Sequence, residues 1–203
     1  MAALSLCLLP LAAPAGASPL PNGVSVSGGR LILRYPNHKK VVEETANAAD
    51  PVLSPNRHFA VYIAAGSGAK ISTGSGDADP NPVWLLDTAT LKTTRLVVSR
   101  SSGDMRQVLG GLSHPVFSVD GRQVFFLSEA WATSDAVHAV DLKTCTVRFL
   151  CDGNTLMVIR TGRDRGDLIV NKHKYHPREG GAYNADWLVS PRGREIKIWD
   201  TGK

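Results

Sequence analysis

The segment from Pro115 to Gly153 divides into four short apolar runs, PVFSVDG, RQVFFLSEA, AVHAVDLKT and TVRFLCDG, with a tight turn after each of the first three. Runs of four to seven residues rich in Val, Phe and Leu, broken by Asp-Gly or Lys-Thr, are the pattern of a four-stranded antiparallel meander. The same order can be laid on PVLSPN, RHFAVYIAAG, PVWLLDTAT and TTRLVVSR, and again on LMVIRTGRDRG, DLIVNKHKY, NADWLVSPRG and EIKIWDTG. Equivalent second strands lie about 65 residues apart in the first step and about 44 in the second. The excess in the first step is the stretch GSGAKISTGSGDADPN at 66–81. Four strands per unit at a spacing near 45 residues is the signature of propeller blades.

A blade buries both faces against its neighbours, so three units alone leave apolar faces wet. Ahead of them, GVSVSGGRLILRYPNHKKVVEE supplies two or three further strands. The expectation is therefore an all-β small β-propeller of about four blades, complete or incomplete, in which this partial blade pairs with the C-terminal EIKIWDT strand. The alternatives are an open arc completed by a partner or by a second copy of the chain, and a twisted β-sandwich that uses the same meanders.

The N-terminal MAALSLCLLPLAAPAGAS has no charged side chain, an apolar centre, and Ala15 and Ala17 at the spacing that signal peptidase reads. Residues 1–17 are read as a secretory signal and 18–203 as one propeller domain in the periplasm or outside the cell. No later apolar run approaches the roughly 18 residues of a bilayer span. Cys145 and Cys151 remain in the mature chain. On an extended strand their Cα atoms lie about 20 Å apart, too far for a disulfide, so both are expected as thiols.

The net charge of +5 suits an acidic partner. Nucleic acid is not indicated: no Lys/Arg run exceeds two residues and aromatics are only 6%, too few for a stacking platform.

FSVDGRQVFFLS, followed by VHAVDLKT and VRFL, resembles the repeat shared by TolB-type periplasmic propellers and the propeller domains of prolyl oligopeptidase-like enzymes. Phe117, Ser118, Asp120 and Gly121 match the first turn of that repeat; Asp141-Leu142, and Asp87 in the first unit, match its later strand. Val119 stands where the repeat has proline, and Asn56 is not followed by glycine. The resemblance covers about residues 50–202 and implies blade architecture; the repeat serves scaffolds, binding surfaces and enzyme lids alike. The chain lacks the Gly-x-Ser-x-Gly elbow of the hydrolase domain in those enzymes.

His173 and His176, with Glu179 and Asp186 nearby, raise the question of a metal, but strand positions three apart point to opposite faces. Asp77 and Asp79 among glycines lack the downstream glutamate of a calcium loop, so 66–81 reads as a flexible polar insertion. No cofactor is called for. The connections after each second strand, 66–81, 129–136 and 173–184, should form one face. They gather Lys70, Trp131, His173, Lys174, His176 and Arg178, with Trp131 in a connection where it could anchor an interface. The expected function is non-catalytic binding of a protein partner, as an inhibitor or immunity protein. The alternatives are a TolB-like envelope scaffold and a metal-assisted or sugar-active hydrolase.

Overall fold

The structure, a computed structural model, describes residues 19–42, 45, 47–176 and 180–199. The proposed signal segment and Arg178 lie outside them. Among the described residues, every regular element is a strand. The first sheet has three, β1 (Gly23–Ser27), β2 (Arg30–Arg34) and β3 (Lys39–Val42). Blade one contains β4 (Ala48–Leu53), β5 (Phe59–Ala64), β8 (Val83–Asp87) and β9 (Thr93–Val97), with a separate hairpin, β6 (Ile71–Thr73) and β7 (Gly76–Ala78), between β5 and β8. Blade two is β10 (Ser113–Phe117), β11 (Gln123–Trp131), β12 (Ser134–Asp141) and β13 (Val147–Asp152). Blade three is β14 (Thr155–Val158), β15 (Leu168–Tyr175), β16 (Ala182–Val189) and β17 (Glu195–Ile198). In each blade the strands, here called a to d, lie in chain order and pair antiparallel. The architecture is the expected small propeller of four-stranded meanders.

In blades one and two the turns repeat the same hydrogen bonds. In blade two the Ser118 hydroxyl donates to Asp120 Oδ1 and accepts from Gln123 N, while Gly121 turns with φ +71°. In blade one Ser54 makes the same bonds to Asn56 and Phe59 N, and Arg57 takes the glycine's place at φ +63°. At the c–d turns, Asp87 Oδ1 accepts from Ala89 N and Thr90 N, and Asp141 Oδ1 from Lys143 N and Thr144 N. Such side-chain caps bond the backbone locally and stop a strand at a fixed residue.

Packing follows the same order, β1 on β4, β4 on β10, and β10 on β14. Between blades one and two, Val61, Ile63 and Leu85 meet Phe117, Val124, Phe126 and Val140. Between two and three, Phe125, Leu127 and Val137 meet Val158, Leu168 and Val170. Phe125 and Phe126 are adjacent on β11 and face opposite seams, so this strand is apolar on both sides, as a strand covered on both faces must be. Burial of each ring contributes about 2–3 kcal/mol.

Two expectations are corrected. The C-terminal strand does not close the ring: β17 pairs with β16 alone, and all four of its residues are exposed. The first sheet spends its apolar face on blade one instead, where Leu31, Leu33 and Val42 cover Ala60, Tyr62 and Leu86. The 66–81 insertion is built rather than flexible. Its hairpin buries Ile71 and Ala78, Gly74 N donates to Ala130 O of blade two, and Asn81 exchanges two bonds with the Leu112 backbone, 2.7 and 2.9 Å.

Candidate functional site

Because strand direction alternates, the b–c connections and the links between blades emerge on one rim, and the a–b and c–d turns on the other. The six residues expected to form a binding face were assigned to the first rim. Lys70 is there, ion-paired with Asp79. Trp131 is not in a connection but ends β11, half-buried, with its ring edge against Phe149 at 6.2 Å. The β6–β7 hairpin docks beside it, so these two parts of the expected face do meet. His173 and Lys174 leave β15 on opposite faces: His173 Nδ1 bonds Asn184 Oδ1, whereas Lys174 points into the seam toward blade two. His176 stacks on Tyr183, apart from His173. No cluster of three or more His, Cys, Asp or Glu suited to a metal occurs among the described residues. Asp77, Asp79, Asp104, Glu129 and Asp135 share this rim, so it is mixed in charge.

The other rim is different. Exposed cations stand at its turns: Arg57 in the first a–b turn, Lys92 after the first c–d turn, Arg122 and Lys143 in blade two. Blade three adds Arg160, Arg163 and Arg165 in one turn and Arg192 and Arg194 in the other, all exposed. Asp87, Asp120 and Asp141 on this rim are engaged in capping their turns, while Asp164 and Asp167 stand among the blade-three arginines. A hydrogen bond from the Ser118 hydroxyl holds Asp120 below the usual carboxylate range, and the Thr144 amide does the same to Asp141. The cations crowd one another: burial first, and then Arg192, push the Arg148 guanidinium down. Sequence inspection missed this concentration because the residues are far apart in the chain, although they share one turn parity.

A third feature lies inside the seams. Trp84, His138 and Trp187 each stand three residues before a c–d turn, at Asp87, Asp141 and Ser190, and each faces the preceding sheet. In all three, one ring nitrogen is buried without a hydrogen-bond partner: Trp84 Nε1, His138 Nδ1 and Trp187 Nε1. The Ser128 hydroxyl donates its single proton to Val108 O (3.2 Å), so it accepts from His138 Nε2 (2.9 Å) and leaves Nδ1 a bare lone pair. Burial, and secondly Arg100, lower this imidazole to about 4. At 1% exposure His138 is held neutral in a stack with Phe126 and beneath a pocket of about 360 Å³ lined by Arg100, Asp104 and Arg106. A serine and histidine in contact resemble a nucleophile and its base. Here the serine proton is directed to a carbonyl and both groups are sealed from solvent, which makes the pair structural.

The third seam is filled by charge. Lys172, 0% exposed, bonds Glu195 and reaches Asp152 Oδ1 at 2.9 Å; Lys174 joins Glu195 at 3.2 Å and lies over the Trp187 ring. Burial acts to lower the Lys172 ammonium, but its bonds to Glu195 and Asp152 raise it above the ordinary lysine value.

No protein-family model matches the chain. No curated protein matches it either. Solved structures do. The β-propeller domain of the Trilobed protease from Pyrococcus furiosus, described as having an open velcro topology, aligns with TM-score 0.57 and 12% identity over 84% of this chain and 49% of its own. The fold is that of a β-propeller. The tricorn protease aligns with TM-score 0.56 and 16% identity over 89% of this chain and 16% of its own. Porphyromonas gingivalis dipeptidyl peptidase 4 gives TM-score 0.58 and 9% identity over 88% and 31%. The chain therefore spans less than half the length of each, and at these identities the likeness concerns the fold alone.

Proposed function

We propose that this chain is a secreted or periplasmic, non-catalytic propeller module that binds an acidic protein through the rim of its a–b and c–d turns. The observation that supports this reading is the run of exposed lysines and arginines along that rim, beside carboxylates engaged in capping the turns. Arginine predominates, and its planar fork pairs with carboxylates in two-point fashion. A one-sign field of this kind accelerates encounter with an opposite surface and weakens as salt rises. The surface sits on rigid hairpin turns, so little ordering cost opposes docking. The resemblance of the repeat to TolB-type sequences fits an envelope setting, and the part proposed there is that of an inhibitor or immunity protein.

The test is capture of partners from envelope extract and from secreted fractions on the immobilised protein, at rising salt, beside an Arg192→Glu/Arg194→Glu variant. The expected result is one stoichiometric acidic protein that elutes as salt rises and is not retained by the variant. Retention that is equal in the variant and persists in 1 M salt, where the screening length falls to about 3 Å, contradicts the assignment of this rim.

A further inference from the structure

The packing order, β1 on β4, β4 on β10 and β10 on β14, ends in one outward face on the first sheet and one on blade three. In the first sheet, Leu31, Leu33 and Val42 bury against blade one, so strand alternation turns Arg30, Ile32 and Arg34 to the outer face. Cross-strand register adds Val41 and Lys39, and Val41 is 44% exposed. In blade three, Leu168 and Val170 bury against blade two, which turns Ile169, His173 and Tyr175 outward. Register places Met157 beside Ile169, and Asp186 opposite Asn171 on the same face. Met157 is 57% exposed and Tyr175 66%. The edge contact of the His173 and Tyr175 rings, with centroids 5.0 Å apart, agrees with their sharing this face.

The two faces complement each other. Each has an apolar centre, Ile32 with Val41 on one and Met157 with Ile169 on the other. The β2–β3 and β15–β16 hairpins both turn at the rim of the b–c connections. Toward that rim the first face carries Arg34 and Lys39, and the second carries Asp186 and the Tyr175 ring. Arginine pairs with a carboxylate, and a tyrosine ring accepts a cation on its face. Because β1 stands at the a position, the first sheet has a, b and c strands and no d, so Lys197 on β17 lies beyond its reach. The chain also aligns with 49% of the Trilobed protease propeller domain, about half a ring. The first sheet and three blades of each copy make eight sheets in two, within the typical range of about four to eight blades.

We propose that the outer face of the first sheet docks the outer face of blade three of a second copy, and that two such head-to-tail contacts close a ring of two chains. Each contact repeats the packing made within the chain, with β14 of one copy against β1 of the other as β10 lies against β14. A head-to-tail contact either closes or runs on as a filament, and blades stacked around an axis return on themselves. The docking faces lie across the sheets and the cationic turns at their ends, so the outcome does not bear on the partner reading above.

The test is sedimentation of the purified full chain from micromolar to several hundred micromolar, beside Val41→Asp and Met157→Asp. Both side chains are exposed, so both variants should keep the wild-type circular dichroism. The expected result is one species of twice the chain mass, with nothing larger at the highest concentration. Each variant alone should raise the dissociation constant at least about tenfold. Arg34→Glu, which tests the first face by charge, should weaken the dimer in the same sense, as should rising salt. A contact between two like faces would respond to only one of the two aspartate variants. Monomer at every concentration, a ladder of larger species, or a dimer that either aspartate variant leaves intact overturns the proposal.

Discussion

Replacing His138 with phenylalanine removes a buried imidazole from the seam between blades one and two while keeping an aromatic ring between Phe126 and Phe149. The wild-type ring is held near 4 by burial and, secondarily, by Arg100; Arg106 and Asp104 also line the pocket above it. An unfolded histidine titrates near 6.5, so between these values the unfolded chain takes up a proton that the folded chain refuses. More protons on the unfolded state mean that stability falls as pH falls. The whole interval corresponds to about 3 kcal/mol, of which about 2 kcal/mol is lost between pH 7 and pH 4.5. Asp120, Asp141 and Glu195, all held below their ordinary values, also lose stability in acid, but equally in both proteins. Urea unfolding at pH 7, 6, 5 and 4.5 should therefore show wild type losing about 2 kcal/mol more than His138→Phe across that range. Parallel curves for the two proteins would refute the reasoning, since they would mean that protons reach the folded imidazole at no cost.

The two turn glycines separate backbone strain from contact. Gly121→Ala should cost about 1 kcal/mol from its φ of +71° alone, since its Cβ would meet nothing nearer than Pro55 Cδ at 3.5 Å. Gly193→Ala should cost clearly more, because its Cβ would lie 2.4 Å from the Leu150 carbonyl oxygen; thermal melts of the two variants decide it. Lys172→Met leaves Asp152 and Glu195 without their buried cation and should lower stability by about 1–3 kcal/mol in urea. The raised Lys172 value also means that its contribution is complete below about 10.5 and is lost as pH climbs through the folded value, so alkaline destabilisation should be shallower in the variant. Burial pushes the Cys151 thiol up to about 11, so a thiol reagent at pH 8 should modify it at the rate of unfolding; immediate labelling in the native state would contradict its burial.

Much of the fold was legible in the sequence because its turns are chemically local. Ser118 with Asp120, and Asp87 and Asp141 with the amides that follow them, are contained within a few residues, so their pattern survives in the linear chain. The features that were not legible depend on distant partners. The glycine-rich 66–81 stretch becomes a hairpin because Leu112 and Ala130, far along the chain, hold it. Ile196 and Ile198 read as a strand to be covered, yet they remain exposed because the first sheet is committed to blade one. The candidate site was the least legible part. Lys70 and Lys174 were named for the binding face, and the fold pairs them with Asp79 and Glu195. The rim arginines looked scattered along the chain until strand parity placed them side by side. The tryptophan, histidine and tryptophan at equivalent places were visible as residues three before each turn, but only the three-dimensional seam shows that each keeps a ring nitrogen unpaired.

The central claim is that the turn rim, and not the connection rim, is where a protein partner sits. Amide hydrogen exchange, measured on the protein alone and saturated with its captured partner, tests it most directly. The account predicts slowed exchange in the turns 54–58, 118–122, 143–146, 160–166 and 190–194, with 66–81 and 98–112 unchanged. Protection confined to 66–81 and 98–112, with the arginine-bearing turns exchanging as before, would contradict it.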